Sequence, residues 1–217
     1  MHRRLSWFNE LNPETKEKKM KSRTTAIAIL ILLMAWGCAQ QETSVQTGQS
    51  AVAAEQQFYT AYNIWRIKSH NMKCINYKHG HNILPAGTPV NNISTGTDSA
   101  TRKPYIRFKT IHDNKVYRIF FTPNWHPGKS VKDYRNFMFT TQTFDELTED
   151  MTAKEIEAIK RGAVVNGMSK NAVLVTYGYP PEHRTGSIYS NTWVYWSNKF
   201  SNFRVCFDDN DQTVSCR

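Results

Sequence analysis

The residues of this chain whose types and spacing could support metal chemistry are three histidines and a cysteine. His79 and His81 lie two positions apart, and His70 and Cys74 come shortly before them. Imidazole and thiolate are the ligands that zinc prefers, but zinc sites in proteins use other spacings of their ligand pairs. The pattern therefore favours a loop surface, and we expect no metal and no cofactor.

Two acidic runs could supply paired carboxylates or a calcium loop. Asp145, Glu146, Glu149 and Asp150 precede a helical pattern, where the helix dipole favours negative charge on a solvated face. The run at 208–211 lacks the later bidentate glutamate of a calcium loop and is typical of a turn. The sequence also contains no nucleophile elbow, HExxH motif or phosphate-binding loop. We therefore expect that the chain is not an enzyme.

The N-terminal segment indicates export. Lys21 and Arg23 precede an unbroken apolar run, Ala26 to Trp36, which is too short for a transmembrane helix and typical of a signal-peptide core. Directly behind it, Gly37-Cys38 resembles the lipobox of bacterial lipoproteins, in which the cysteine is acylated and becomes the mature N-terminus. The alternatives are ordinary signal-peptide cleavage near Cys38 and a retained anchor.

The same pattern sets the boundaries of the N-terminal region. Because Met20 begins the signal pattern, the residues before it are predicted to be an upstream mis-start, and residues 1–37 form the signal peptide. Residues 38–57 are rich in Gln, Ser, Thr and Ala and predict a flexible tether. This tether would hold the folded part close to the membrane.

The charge of the remaining chain is mildly basic. Residues 1–37 contain seven of the 28 Lys and Arg residues and three of the 18 Asp and Glu residues, so residues 38–217 carry a net charge of +6. Such a spread-out excess suits anionic lipid headgroups or acidic glycans. Since no basic stripe is present, we expect no nucleic-acid partner.

Three cysteines remain when the first is assigned to lipid, so one thiol should stay free unless a partner chain takes it. A two-residue turn at Asp209-Asn210 would place Cys206 opposite Thr213, and a bond from Cys206 to Cys216 would then need a register shift or a bulge. A bond from Cys74 to either of them would instead join distant parts of the chain. Both pairings stay open at this point, and either suits an oxidising compartment.

Residues 58–142 carry the pattern of a small β domain. A turn at 85–87 separates two apolar pieces. The clearest element is a β-hairpin, in which apolar and polar residues alternate over 105–110 and 116–120. Residues 137–139 predict a further strand. Short strands joined by polar turns indicate a small all-β fold, either an SH3-like barrel or a sandwich.

Residues 143–217 begin with two helical patterns. Thr152 and Glu155 form a capping box for a helix that Gly162 can end. Ser169 then caps a two-turn helix over 170–177, before a glycine and two prolines prevent its continuation. Because so short a helix is unstable alone, it must pack on an apolar platform.

Three meandering strands supply that platform. The run TWVYW at 192–196 places Trp193 and Tyr195 on one face and Trp196 on the other. Phe203, Val205 and Phe207 alternate in the hairpin that follows. The chain as a whole is therefore predicted to be α+β, with a small β domain before a two-helix, three-stranded antiparallel domain.

The parity of the strand at 192–196 also suggests a contact surface. If Trp193 and Tyr195 face the helices, Trp196 lies on the outer face of the sheet. An exposed Trp196 beside Tyr179, Pro180 and Pro181 would form a surface for partner proteins, since such anchors dominate protein interfaces.

The C-terminal motifs, in this order and spacing, resemble the SmpA/OmlA (BamE-like) family of outer-membrane lipoproteins. The positions that match the family's motifs are Gly167, Met168, Ser169, Val173, Gly178, Pro180, Trp193, Tyr195, Phe207 and Val214. The chain departs from the family at Tyr177, where Leu is usual, and at Asn210, where Gly is usual. The resemblance covers residues 143–217.

The resemblance implies two helices packed on a three-stranded antiparallel sheet, a lipid anchor through acylated Cys38, and a place on the periplasmic face of the outer membrane. It also implies a non-enzymatic, protein-binding role in outer-membrane assembly or maintenance, with the β-barrel assembly machinery as a partner. The alternative is a lipoprotein that binds peptidoglycan through its SH3-like β domain.

Overall fold

The structure, a computed structural model, describes residues 56–66, 71–79 and 82–216. The predicted signal peptide, the lipidation at Cys38 and most of the tether lie outside the described residues. The described residues belong to one compact unit. No helix within them is long and apolar enough to cross a membrane.

The prediction of a mixed α+β fold is confirmed. Over the described residues the strands are β1 (Phe58–Thr60), β2 (Ile64–Trp65), β3 (Asn71–Lys73), β4 (Ile83–Leu84), β5 (Pro89–Thr97), β6 (Pro104–Thr110), β7 (Val116–Phe120), β8 (Phe139–Thr140), β9 (Thr192–Trp196), β10 (Asn202–Phe207) and β11 (Thr213–Val214). The helices are α1 (Val131–Met138), α2 (Phe144–Leu147), α3 (Ala153–Arg161) and α4 (Lys170–Tyr177).

The strands of the first part form a curled, half-barrel sheet with the order β3-β7-β6-β5-β1-β8. Neighbouring strands are antiparallel, except that β3 runs parallel to β7. The predicted hairpin at its centre is confirmed: Ile106, Phe108, Tyr117 and Ile119 point to the core and are at most 2% exposed. Their polar neighbours lie on the other face, as period-two alternation requires.

The prediction of a strand at 137–139 is wrong, and so is the expectation that residues 58–142 are all β. Residues 131–138 form α1, because the Ser130 side chain accepts from the Asp133 amide while the Asp133 carboxylate accepts from the Ser130 amide. Tyr134 and Met138 lie one turn apart on the buried face of this helix. Only Phe139 of the predicted strand belongs to β8.

The two predicted C-terminal helices are confirmed, and one carboxylate caps both. Glu155 accepts from Thr152, the N-cap of α3, and also from the Ser169 amide (2.8 Å) and hydroxyl (2.9 Å) at the start of α4. Burial acts to raise the pKa of Glu155, but these hydrogen bonds favour the carboxylate and lower it overall. Gly162 ends α3 at φ +66°.

The predicted three-stranded antiparallel sheet is also confirmed, with the order β11-β10-β9. The predicted register of its second hairpin is wrong by one residue, since Cys206 pairs with Val214. The reason is a longer loop in which Asp211 adopts φ +59° and the Asp208 side chain accepts two backbone amides. In this register Cys206 forms a disulfide with Cys216, and Cys74 remains a buried free thiol.

Asn63, which is 2% exposed, joins residues from both sides of the predicted domain boundary at 142/143. Its side chain donates to the Ile159 carbonyl (2.7 Å) and accepts from the Ala86 amide (2.9 Å). Its backbone amide donates to the Val175 carbonyl (3.0 Å). Loss of this side chain would leave the Ala86 amide without its partner and remove one of two donors to the Ile159 carbonyl, which the Gly162 amide also reaches (2.9 Å).

Candidate binding site

The residues predicted to contact partners do not form a fully exposed surface. Pro180 and Pro181 are buried, and Trp196 and Tyr179 are half-buried. Tyr179 stacks on Phe137 with ring centroids 4.4 Å apart, which places it against the core of the six-stranded part. Trp196, which was expected to be exposed, is therefore only partly so, and the loop after α4 beside it packs inward.

A cleft of about 370 Å³ opens instead beside β3. Its walls come from three separated segments: Trp65 of β2, the strand β3 with the residues that follow it, and the tip of the β9–β10 hairpin. The lining residues are Trp65, Asn71, Met72, Lys73, Tyr77, His79, Ser197, Asn198 and Lys199. This volume is at the small end of the range for ligand sites, enough for one or two side chains of a partner.

The walls of this cleft are mainly apolar, and its charged groups are all basic. Trp65 and Met72 are buried, and Tyr77 is half-buried. Lys73 and Lys199 are exposed, and the Lys73 ammonium lies 5.8 Å from the centroid of the Tyr77 ring. Such walls with a cationic rim suit a ligand that is both apolar and anionic.

A further lysine stands behind the cleft. The Lys78 ammonium lies 5.1 Å from the ring centroids of Trp65 and Tyr195 and 5.6 Å from that of Tyr177, and it donates to the Asn76 carbonyl. Burial lowers the pKa of this ammonium well below its usual value, whereas the ring faces favour the charged form. Its three rings come from both sides of the predicted domain boundary, and one of them, Trp65, lines the cleft.

The hairpin tip carries the most exposed aromatic residue near the cleft. Phe200 is 83% exposed, and the Lys199 ammonium lies 4.4 Å from its ring centroid. The Asn198 side chain accepts from the amides of Phe200 and Ser201, which fixes the tip. A large apolar side chain held in water beside a cation is a candidate contact for a partner.

A buried group of polar side chains lies in the core of the six-stranded part. The Tyr134 hydroxyl donates to the Cys74 carbonyl and lies 3.2 Å from the Tyr62 hydroxyl. Burial raises the pKa of the Cys74 thiol to about 12, so the thiolate needed for nucleophilic attack does not form at neutral pH. His126 lies against Tyr134 and is 1% exposed. This group is therefore a structural part of the core.

The predicted metal-like cluster is only partly described. His70 and His81 lie outside the described residues, His79 is exposed on the cleft rim, and Cys74 is buried. Within the part of the chain that the structure covers, no group of three or more potential ligands could hold a metal ion. Glu146 caps α2, and Asp145, Glu149 and Asp150 are exposed, as the solvated-face prediction states.

The sequence-based interpretation missed the cleft residues Lys73, Tyr77 and Lys199. One local signal was available: a Lys-Phe pair at the tip between two apolar strands is unusual, because exposed phenylalanines are rare there. The chain matches no family model, no curated protein and no solved structure.

Proposed function

We propose that this chain is a non-enzymatic envelope lipoprotein that acts as a protein-binding module in outer-membrane assembly or maintenance. In this proposal acylated Cys38 anchors it to the periplasmic face of the outer membrane, and the tether gives the folded part freedom to reach a partner. An envelope assembly such as the β-barrel assembly machinery supplies that partner.

The observation that carries the proposal is the chemistry of the cleft. Its lining consists of aromatic, amide, aliphatic and basic side chains, and its rim ends in the exposed Phe200. Buried aromatic anchors with a charged rim are the usual composition of a protein-recognition site. The free thiol of Cys74 and the imidazole of His126 are buried in the core, outside this lining.

Two further features support export and the proposed family. The Cys206–Cys216 disulfide fits an oxidising compartment. The helices α3 and α4, followed by a three-stranded antiparallel sheet, have the order that BamE-like domains have, so we propose a BamE-like domain for residues 143–217, with the short helix α2 at its start. We also propose that the preceding strands act as an SH3-like module.

The test is site-specific photo-crosslinking in cells, with the probe at Phe200 and a matched control probe at exposed Tyr189. We expect envelope proteins to be captured at Phe200 and the captured set to differ from that at Tyr189. Mass spectrometry of the N-terminus should show an acylated Cys38. Capture of glycan alone, with sedimentation on purified sacculi, would discard this proposal in favour of the peptidoglycan-binding alternative. An unmodified N-terminus would discard both, since each is a lipoprotein.

A further inference from the structure

We propose that the cleft binds an extended acidic segment of a partner protein, with one apolar side chain in the cleft and carboxylates on both sides of it. This inference rests on the proposed protein-binding function and names the chemistry of the partner. The occupant is a peptide with an aromatic or aliphatic residue between Asp or Glu residues.

The charge of the rim supports an anionic occupant. Within the described residues, neither Lys73 nor Lys199 has a carboxylate within ion-pair distance, although six ion pairs occur elsewhere. Their ammonium groups instead lie over the rings of Tyr77 and Phe200. Two such cations, one on β3 and one on the hairpin tip, can each meet one carboxylate of a ligand in the cleft.

The walls favour a peptide over a saccharide. A sugar ring needs hydrogen-bond partners around most of its edge, whereas the cleft offers mainly apolar surface from Trp65, Met72 and Tyr77. A volume of about 370 Å³ fits a phenylalanine or leucine side chain with part of its backbone. The Asn198 side-chain oxygen already accepts two amides of the hairpin tip and the Ser197 hydroxyl donates to the Ser201 carbonyl, so an occupant meets a mainly apolar wall.

The position of β3 supports an extended segment. β3 is the outermost strand of the six-stranded sheet, and its residues alternate: Asn71 and Lys73 are exposed and Met72 is buried. A segment that runs along this edge directs every second side chain to the same side. One apolar residue can therefore enter the cleft while its two neighbours remain at the rim.

The first experiment measures peptide binding to the full-length chain in neutral detergent micelles. The probe is acetyl-Glu-Asp-Phe-Asp-Glu-amide, and the control peptides replace the phenylalanine by serine or all four acids by lysine. We expect binding of the first peptide only, with an affinity that falls as salt rises. Equal binding of the serine peptide would overturn the apolar anchor, and equal binding of the lysine peptide would overturn the charge argument.

The protein variants locate the site. The double variant Lys73→Gln/Lys199→Gln should weaken binding about tenfold, as expected for two partly exposed ion pairs. The matched control, Lys103→Gln/Lys132→Gln, changes two exposed lysines outside the cleft lining and should leave the affinity within about twofold. If both double variants lose the same affinity for the peptide, the loss comes from net charge rather than from the cleft, and the inference is overturned.

Crosslinking in cells separates this inference from the proposed function. If the wild-type chain captures envelope proteins at Phe200 and the Lys73→Gln/Lys199→Gln variant does not, the inference is supported. If both capture the same proteins, the protein-binding function stands and the acidic-segment inference fails. If the wild-type chain captures no protein, the proposed function itself fails. Competition by a muropeptide, or by phosphatidylglycerol vesicles but not by the acidic peptide, would likewise overturn the inference.

Discussion

His126 should make the stability of this protein fall in mildly acidic solution. The imidazole is 1% exposed and lies between Phe121 and Tyr134, at ring-centroid distances of 5.9 Å and 4.6 Å. Burial lowers its pKa from 6.5 to about 4, the charges of His183 and Lys129 act in the same direction, and a hydrogen bond to the Cys74 backbone opposes them. The folded protein therefore keeps this imidazole neutral where the unfolded chain binds a proton.

The sign and size follow from proton linkage. Between pH 6.5 and pH 4 the unfolded state binds more protons, so the free energy of unfolding decreases as the pH falls through this window. At about 1.4 kcal/mol per pH unit, the loss is about 2 kcal/mol at pH 5 and about 3 kcal/mol once the pH reaches 4. Above pH 7 the imidazole is neutral in both states and makes no such difference.

The variant His126→Phe tests this effect with little change in packing. The Nε2 atom has no hydrogen-bond partner, and the Cys74 carbonyl keeps the Tyr134 hydroxyl as a donor. Urea unfolding followed by tryptophan fluorescence at pH 8 and pH 5 gives the two free energies. We expect wild type to lose about 2 kcal/mol more than His126→Phe between these pH values, and a His79→Gln control, at an exposed histidine, to behave as wild type. Parallel losses in wild type and His126→Phe would refute this account.

Three further changes should lower the free energy of unfolding, which is measured by urea unfolding at pH 7 unless stated. Gly162→Ala should cost about 2 kcal/mol, because φ is +66° and the new Cβ would lie 2.3 Å from Ile83 Cδ1, which can shift, and 3.1 Å from the Trp65 ring. Gly167→Ala, with open space at φ +84°, should cost about 1 kcal/mol, and equal costs would contradict the steric argument. Replacing Cys206 and Cys216 by serine should cost about 2–3 kcal/mol for a sequence separation of 10, and adding reductant to wild type should have the same effect. Glu155→Gln should cost about 2 kcal/mol, because the amide cannot accept all the hydrogen bonds of the carboxylate. Since the pKa of Glu155 is lowered on folding, wild type should lose that stability as the pH falls below 4.5. An equal loss of unfolding free energy in Glu155→Gln over the same pH range would contradict this.

The elements that depend on local chemistry could be predicted from the sequence. The capping box at Thr152, the Ser169 cap and the alternation across the β6–β7 hairpin each act within a few residues. α1 was missed although Ser130 and Asp133 have capping-box spacing, because the aromatic pair at 137–139 outweighed it as a strand signal.

The cleft could not be predicted in the same way. Its lining brings β3 to the 197–199 hairpin tip, and no local pattern links residues so far apart in the sequence. The inward course of the loop after α4 has the same origin, since Tyr179 is drawn in by a stack on Phe137. Predictions about exposure failed where a distant aromatic residue decided the packing.

The strand order has a kinetic consequence. β1 lies between β5 and β8, so Tyr59 pairs with both Pro89 and Thr140, and β3 pairs with the distant β7. Such pairings must close long loops, at a cost in chain entropy, before their contacts can stabilise the fold. Folding is therefore expected in the range of milliseconds to seconds. Because synthesis runs from the N-terminus, β1 is made well before β8. Until then, the edge of β1 that pairs with β8 remains unpaired. During that interval this edge of β1 can pair with a strand of another molecule, so a newly made chain is at risk of aggregation until β8 has been made and has paired with β1.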